Sequence, residues 1–218
     1  GNRQSKGRAL QNMINIQKGD KVCAFIHVKN LNDQDYVDNH YLIFATKDGL
    51  MKKTTLESYS RPRANGIIAL GLREGDRLIR VTLTDGKSQM LVASYNGKVV
   101  RFPEDTVRPM GRTATGVRAI KLDEDGKDRV VGMICVEEGS KDTVLVISDK
   151  GYGKRTLLDD ETGEPIYRIT NRGGKGVKTI NVTDKTGKLI SIQAVTDDND
   201  LMIINRSGLT IRTSADQI

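Results

Sequence analysis

Hydrophobic and polar residues alternate with a period of two over most of the chain. Ile190, Ile192 and Ala194, for example, are separated by the polar residues Ser191 and Gln193, which would lie on the opposite face of a strand. Alternation of this kind is typical of a half-buried β-strand, whereas a helix would repeat every three to four residues. β-branched residues are frequent in these runs, and no helical stripe of useful length occurs. The pattern therefore predicts an all-β protein.

The alternating runs belong to a repeat that occurs four times. Each copy opens with a glycine, continues into two apolar runs around a polar turn, and adds a second hairpin. The opening glycines are Gly7, Gly66, Gly116 and Gly176. The turn glycines of the second hairpins are Gly49, Gly97, Gly151 and Gly208. Each copy thus has about four short strands, and a fixed repeat of this length indicates stacked structural modules.

Four short strands are the content of one propeller-like blade. A single blade cannot bury both of its faces, so neighbouring blades must stack. We therefore predict one repeat domain over residues 1–218, with four blades of about four antiparallel strands each. The predicted blades are approximately 3–60, 61–107, 108–167 and 168–218. Four blades could close into a ring or form an open arc, and the sequence leaves both possible.

Cations recur at two places in each predicted blade. Four residues after each turn glycine stand Lys53, Arg101, Arg155 and Arg212, and Lys52 and Lys154 precede two of them. The corners between blades contain a second set, which includes Arg108, Arg112, Arg172 and Lys175. If these side chains lie outward on successive blades, they form a belt that suits a regular line of phosphates. The alternative is that they are solvated charges that protect strand ends.

The composition favours a polyanionic partner. Lys and Arg number 35 against 28 Asp and Glu, which gives a formal charge of +7 and a pI near 9.4. Aromatic residues make up only 4% and Trp is absent. Because proteins that bind single strands stack bases on aromatic side chains, this scarcity favours duplex DNA bound through its phosphates.

Candidates for metal binding or catalysis are few. Cys23 and Cys135 lie far apart in apolar runs without a CxxC pattern, so we predict two buried thiols and no metal site. The two histidines, His27 and His40, have no pattern of a triad or a zinc site around them, and His27 lies in a strand-like run. The sequence thus predicts no catalytic residue and no bound metal.

Two further motifs resemble known ligand loops only in part. Residues 123–128 begin like a calcium loop, but Ile134 stands where the loop requires its last glutamate. Gly173-Gly174-Lys175-Gly176 is not a P-loop, because no Ser or Thr follows the lysine. Neither motif predicts a cofactor in this segment.

Three motifs in order, RGGKG at 172–176, GRTATGVR at 111–118 and GYGKR at 151–155, resemble the C-terminal domain of the DNA gyrase A protein. The resemblance runs through essentially the whole chain. It implies a β-pinwheel, a propeller-like disc whose blades exchange strands. It also implies that the rim wraps duplex DNA without sequence specificity and so supports ATP-dependent negative supercoiling by the whole enzyme, a type II topoisomerase.

The chain departs from the family pattern in its signature motif. The box-like motif, residues Arg172, Gly173, Gly174, Lys175 and Gly176, has Thr170 and Asn171 where the family has Gln and a basic residue. The family's box opens its first blade, whereas this copy opens the last one. Family members usually have six blades. The chain also lacks an initiator Met, so we expect an internal fragment of a longer protein whose true box lies upstream of Gly1.

The resemblance also implies partners and a location. These are duplex DNA, the rest of the gyrase A protein, and the gyrase B protein in a tetramer of two A and two B subunits. ATP and Mg²⁺ would bind elsewhere in the enzyme, and the strand-cleaving tyrosine lies on another domain. The location would be the cytoplasm, on the chromosome, and no apolar run approaches the ~20 residues of a membrane span.

Three alternatives remain at this point. The equivalent domain of topoisomerase IV has the same blades and usually a degraded box, so residues 172–176 favour gyrase. A protein-interaction propeller would bind a partner through loops on its top face and would have no affinity for a duplex. An enzymatic propeller would need acids or histidines that converge at the axis, and the sequence has no recurrent ones.

Overall fold

The computed structural model describes residues 6, 7, 19, 21–63 and 65–218, and almost all regular structure in them is β. The strands are β1 Tyr41–Thr46, β2 Leu50–Thr55, β3 Leu78–Thr84, β4 Gln89–Ser94, β5 Lys98–Pro103, β6 Val117–Arg118, β7 Val130–Val136, β8 Thr143–Ser148, β9 Gly153–Thr156, β10 Val177–Lys178, β11 Leu189–Val195, β12 Asp200–Ile204 and β13 Thr210–Ser214. One short helix, α1 Gln34–Asp38, precedes β1. Short 3-10 segments follow three hairpins, at Leu56–Tyr59, Glu104–Thr106 and Ala215–Gln217. The all-β prediction is confirmed.

The strands form four antiparallel sheets, one for each predicted repeat. Sheet 1 has the order β3-β1-β2-β6 and sheet 2 the order β10-β5-β4-β7. Sheet 3 has the order β11-β8-β9, and sheet 4 is the hairpin β12-β13. The predicted four strands per blade are therefore present in sheets 1 and 2, whereas sheets 3 and 4 have three and two strands within the described residues.

Sheets 1, 2 and 3 are each assembled from more than one repeat. In sheet 1 the hairpin β1-β2 receives β3 on one side and β6 on the other, and these come from the next repeat and the one after it. Sheet 2 repeats this arrangement with β4-β5, β7 and β10. The sheets therefore cross the predicted blade boundaries: β3 lies in the predicted blade 61–107 but pairs in the blade that begins before residue 60. This exchange of strands is the pinwheel arrangement.

Successive sheets pack face to face. Sheets 1 and 2 enclose a core that includes Ile43, Met51, Val92 and Phe102, all almost fully buried. Sheets 2 and 3 enclose a second core, and a smaller cluster joins sheet 3 to sheet 4. The strands β3, β7 and β11 pack side by side at one end of the sheets, whereas β6 and β10 are the end strands on the opposite side. Sheets 1 and 2 thus have an inner end and an outer edge.

Two predictions about the first repeat are wrong. Residues 21–28 form no regular strand, and both Cys23 and His27 are exposed there.

Cys135 is half-buried in β7, where burial raises the pKa of its thiol to about 12. The opening segment of the first repeat, at residues 8–18, lies outside the described residues. In the part of the chain that is described, no helix is long and apolar enough to span a bilayer.

Candidate nucleic-acid interface

Three of the four cations that follow the turn glycines point into the contacts between sheets. Lys53 is only 4% exposed, and its Nζ lies 2.8 Å from Glu104 Oε1 and over the ring of Tyr41. Glu104 opens the 3-10 segment that follows the hairpin of sheet 2. Lys53 therefore joins sheet 1 to sheet 2 through a buried ion pair.

Arg101 and Arg155 make the same connection one and two sheets further on. Arg101 is 5% exposed, and its Nη1 donates to the carbonyl oxygen of Leu158 at 3.2 Å and to Asp159 Oδ1 at 2.8 Å. Arg155 donates from Nη1 to the carbonyl oxygen of Ala215 at 3.1 Å and pairs with Asp197 at 2.7 Å. Each cation thus fastens its hairpin to the segment that follows the next hairpin.

The predicted belt of outward cations is therefore wrong at these positions. Lys53, Arg101 and Lys52 are buried, and Arg155 is largely covered, because the strand position faces the next sheet. Arg212 is exposed at 73%, where it pairs with Asp200 of its own hairpin. Lys154 is also exposed, and its Nζ lies 3.4 Å from the carbonyl oxygen of Thr179.

The second set of predicted cations lies in the corners, which we define as corner 2 (61–63 and 65–73), corner 3 (108–121) and corner 4 (168–180). Corner 3 runs along β2: Pro109 is bridged to Lys53, and β6 pairs with Leu50 and Met51. Corner 4 runs along β5 in the same way. Corners 3 and 4 therefore form the outer edges of sheets 1 and 2.

Neighbouring corners are joined by backbone hydrogen bonds. The Gly71 amide donates to the carbonyl oxygen of Ala114 at 3.1 Å, which joins corner 2 to corner 3. The amides of Gly173 and Lys121 exchange bonds of 2.7 Å and 2.8 Å with the carbonyl oxygens of Ala119 and Gly174, which joins corner 3 to corner 4. The three corners thus form one continuous strip, which we call the corner track.

The corner track carries cations and no carboxylate. Corner 2 contains Arg61, Arg63 and Arg73, corner 3 contains Arg108, Arg112, Arg118 and Lys121, and corner 4 contains Arg168, Arg172, Lys175 and Lys178. All of these are exposed except Arg112, which is half-buried. The absence of Asp and Glu from all three stretches is visible in the sequence, and it was the signal that the spacing of cations alone missed. Arg118 and Lys178 lie on the two-residue strands β6 and β10. They were not among the predicted site residues, because the prediction used the spacing of cations and not the charge of whole segments.

The predicted corner cations differ in how free they are. Arg112 donates from Nη1 to the carbonyl oxygen of Ile68 at 3.3 Å, and Arg172 donates from Nε to that of Thr106 at 3.2 Å. Among the described residues, the side chains of Arg108 and Lys175 have no hydrogen bond or ion pair. Arg112 and Arg172 are thus held against the track, while the other two extend into solvent.

The glycines of the box-like motif have a packing role. Gly176 has φ +74°, and a Cβ there would overlap the carbonyl oxygen of Val99; Gly116 is held in the same way against Met51. The amide of Gly173 is already bonded to Ala119. These glycines let the corner approach the edge of the sheet, and the amide of Gly173 is already used within the protein and is not available to an anion.

Carboxylates gather instead at the hairpin tips. The side-chain amide of Asn96, at the tip of β4-β5, donates to Asp123 and Asp125 at 3.0 Å each. This hydrogen bond, with two more from backbone amides, lowers the pKa of Asp125 to about 2. No group of His, Cys, Asp and Glu among the described residues could hold a metal ion. The tip acids act as turn caps.

The model of a protein family described as "DNA gyrase C-terminal domain, beta-propeller" matches this chain over residues 40–85, 89–137, 142–196 and 199–218. The chain belongs to this family. The first three matched units each begin with a hairpin and end with the inner strand that pairs with it, and the fourth covers β12 and β13. These are the units of the observed sheets rather than the blades predicted from the opening glycines.

Sequence relatives of this family member are named as the A subunit of DNA gyrase. Those of Staphylococcus aureus strains NCTC 8325 and COL are 43% identical over 210 residues, which is 96% of this chain. The aligned region is 22% of each relative, so the chain spans about a fifth of their length.

Solved structures agree on the fold. The C-terminal domain of DNA topoisomerase IV matches with a TM-score of 0.82 at 21% identity, over 97% of this chain and 62% of that one. A DNA gyrase A C-terminal domain matches with a TM-score of 0.78 at 22% identity, over 98% and 67%. The β-pinwheel expected from the resemblance is thereby confirmed.

Proposed function

We propose that the corner track binds duplex DNA through its phosphates and bends the duplex around the outer edge of the sheets. The observation that carries this proposal is a backbone-joined strip of three corners that has eleven Lys and Arg residues and no Asp or Glu. Such a strip attracts a polyanion along its whole length.

The chemistry of the track suits phosphates better than bases. Arg and Lys that extend from an outer edge reach phosphate oxygens without entering a groove, and contacts of this kind carry no direct sequence information. The scarcity of aromatic residues argues against stacking of bases from a single strand. We therefore expect binding that is strong at low salt, independent of sequence, and steeply salt-dependent.

At the level of the whole protein, we infer that this domain is part of a gyrase A protein. The identity to gyrase A relatives and the box-like motif support gyrase over topoisomerase IV. On this reading the wrapped DNA supports ATP-dependent negative supercoiling by two A and two B subunits on the bacterial chromosome in the cytoplasm. ATP and Mg²⁺ are used elsewhere in that enzyme, and this segment supplies no catalytic residue.

A salt titration tests the DNA-binding proposal. The track variant R108A/R168A/K175A removes three exposed cations whose side chains have no partner among the described residues. The matched control, K127A/K141A/K185A, removes three exposed lysines outside the corners. We expect the track variant to bind all duplex sequences more weakly and to lose about 0.9 from the slope of log K against log salt for each phosphate contact removed.

The control separates a track from general charge. If the proposal holds, the control variant changes affinity slightly and leaves the slope almost unchanged. Equal losses in the two variants would show that only net charge matters. Binding of a protein partner, with no affinity for a duplex at low salt, would favour the protein-interaction propeller instead.

A further inference from the structure

Lys52 is the one fully buried ammonium in the described part of the chain. Its side chain is 0% exposed in β2 of sheet 1, and its Nζ lies 4.9 Å from the centre of the Phe44 ring. It has no carboxylate partner there. A buried cation without a counter-ion is costly, so its neighbours must satisfy it in another way.

Three oxygen atoms surround the ammonium group, and two of them belong to different corners. Nζ donates to the carbonyl oxygens of Ala69 in corner 2 and Arg112 in corner 3, and lies 3.4 Å from the hydroxyl of Tyr59. Tyr59 in turn donates to the carbonyl oxygen of Ala69 at 2.8 Å. An ammonium has three N–H groups, so all three are directed at acceptors.

The other sheets lack this arrangement. The position three residues after the turn glycine holds Val100 in sheet 2, and Lys154, its counterpart in sheet 3, is exposed. The joint between corners 3 and 4 depends on backbone bonds from Gly173 and Lys121, with no buried cation beneath it. Sheet 1 alone, among the described residues, fastens two corners through a side chain from below.

We propose that Lys52 is a positioning residue that fixes corner 2 against corner 3, and so sets the spacing of the cations that the two corners present to DNA. The proposal rests on the proposed function for its consequence, but not for the joint itself. A fixed spacing matters because a line of phosphates has a fixed repeat, and cations on a loose corner must be ordered at the moment of binding.

The charge on Lys52 can be changed by pH. Burial, followed by the nearby charge of Arg112, lowers the pKa of Lys52 to about 8. The titratable groups that face Lys52 are Arg112 and Tyr59. Burial raises the pKa of Tyr59. Because the pKa is lower in the closed joint than the ordinary value of 10.5, the open joint binds more protons, so opening costs more as pH rises above about 8.

Hydrogen exchange tests the joint without DNA. The variant Lys52→Met keeps the length of the side chain and removes the ammonium, and Lys154→Met is the matched control on sheet 3. We expect the amide of Gly71, which joins corners 2 and 3, to exchange about tenfold faster in K52M and unchanged in K154M. The amides of Lys121 and Gly173, which join corners 3 and 4, should keep their protection in both variants. Unchanged exchange at Gly71 in folded K52M overturns the proposal.

If K52M fails to fold, the natural protein supplies the same test. If opening the joint returns Lys52 to water, protection at Gly71, corrected for intrinsic exchange, should rise between pH 7 and pH 9 while protection at Gly173 does not. Equal behaviour of the two amides across this range refutes the assignment of Lys52 to the joint.

DNA binding gives the functional readout. We expect K52M to bind duplex DNA about three- to tenfold more weakly with an unchanged salt slope, because no phosphate contact is lost. Lys52→Arg, which keeps a cation at this position, should restore the affinity. A lower salt slope in K52M would make Lys52 a direct contact and contradict positioning. If the natural protein binds no duplex, the proposed function fails, while the exchange of Gly71 still decides the joint.

Discussion

At the scale of single residues, the recurrence of a cation four positions after each turn glycine has a structural cause. Lys53, Arg101 and Arg155 differ in their partners, but each reaches the segment that follows the next hairpin. Because each sheet packs on the next in a similar way, the same contact between sheets recurs, and a cation occupies the same position in each hairpin. Recurrence in a repeat protein therefore does not by itself indicate a ligand.

The buried pair Lys53–Glu104 gives a test of this structural role. In Glu104→Gln, the amide keeps the size of the side chain but has one acceptor oxygen, so it can accept from Thr84 Oγ1 or from the Ser88 amide but not from both, and Lys53 loses its counter-ion. Because the remaining charge is buried, we expect the free energy of unfolding to fall by about 3–5 kcal/mol. Denaturant unfolding measures it.

An exposed pair supplies the comparison. Lys47 and Asp48 lie 3.9 Å apart at the surface, so Lys47→Met should change stability by less than about 1 kcal/mol. If the variants of the buried and exposed pairs lose similar stability, the ion pair between sheets 1 and 2 is not a fastener.

Gly176 and Gly174 offer a second matched pair within the box-like motif. Gly176→Ala places a Cβ against the carbonyl oxygen of Val99 at a φ of +74°, while Gly174→Ala finds its nearest neighbour, the Asn171 carbonyl oxygen, at 3.5 Å. The left-handed conformation alone costs of order 1–2 kcal/mol, and the overlap adds to it. We expect thermal unfolding to show a loss of at least about 2 kcal/mol for G176A and less than about 1 kcal/mol for G174A. Equal losses would mean that glycine serves the motif in some way other than close approach.

At the scale of the elements, the hairpins were predictable from the local pattern, whereas the exchange of strands was expected only from the family resemblance. Turn dipeptides such as Asp48-Gly49 and Asn96-Gly97 mark hairpins locally, and the structure has β1-β2 and β4-β5 around them. Which sheet takes β3 or β6 depends on contacts between distant parts of the chain. A two-residue strand such as β6 has too short a pattern to be recognised from sequence.

The same dependence on distant contacts explains why the exposed cations of the site could not be identified from local sequence. Whether a cation such as Arg101 is exposed depends on the next sheet, which covers it, so local spacing could not separate Arg101 from Arg108. What the sequence does contain is the lack of carboxylates over residues 108–121 and 168–180. Segment-wide charge, rather than the register of single cations, was the informative pattern for the corner track.

The hairpin tip of β4-β5 carries a prediction about pH. Asn96 donates to Asp125, and this bond is the largest cause of its low pKa of about 2. A carboxyl whose pKa is lowered by folding contributes stability above its unfolded pKa, and that stability is lost as pH falls from about 4 towards 2. In Asn96→Ala we expect the pKa of Asp125 to rise towards its ordinary value, as followed by NMR titration of the side chain.

Asp160 is the internal reference for that titration. Its pKa is also lowered, but by Thr162 and neighbouring backbone amides. It should therefore titrate identically in the natural protein and in N96A. A parallel shift of Asp160 would point to a general change of the fold, and an unmoved Asp125 would show that the backbone bonds suffice.

At the scale of the whole molecule, the order of the sheets sets the order of the corners. Because corners 3 and 4 are the outer edges of sheets 1 and 2, which pack face to face, and neighbouring corners are bonded to each other, the track advances by one corner per sheet. Packed sheets lie about 10 Å apart, so the three corners span roughly 20 Å of duplex. A duplex that follows several such corners around the outer edge must bend.

Bending gives a prediction that separates a continuous track from independent patches. Smooth bending of a 20–30 base-pair site by 40–90° costs of order 1–6 kcal/mol, which contacts at both ends of the track must offset. In a 40-base-pair duplex labelled at its ends, we expect the natural protein to shorten the end-to-end distance measured by energy transfer. Loss of the cations at either end, in R61A/R63A or R168A/K175A, should leave bound but straighter DNA at low salt, because the remaining contacts hold the duplex without offsetting the cost of the bend.

The control K127A/K185A should bend DNA as the natural protein does. If each end variant weakens binding yet keeps the full bend, one corner suffices for bending, and the corners act as separate patches rather than as one track.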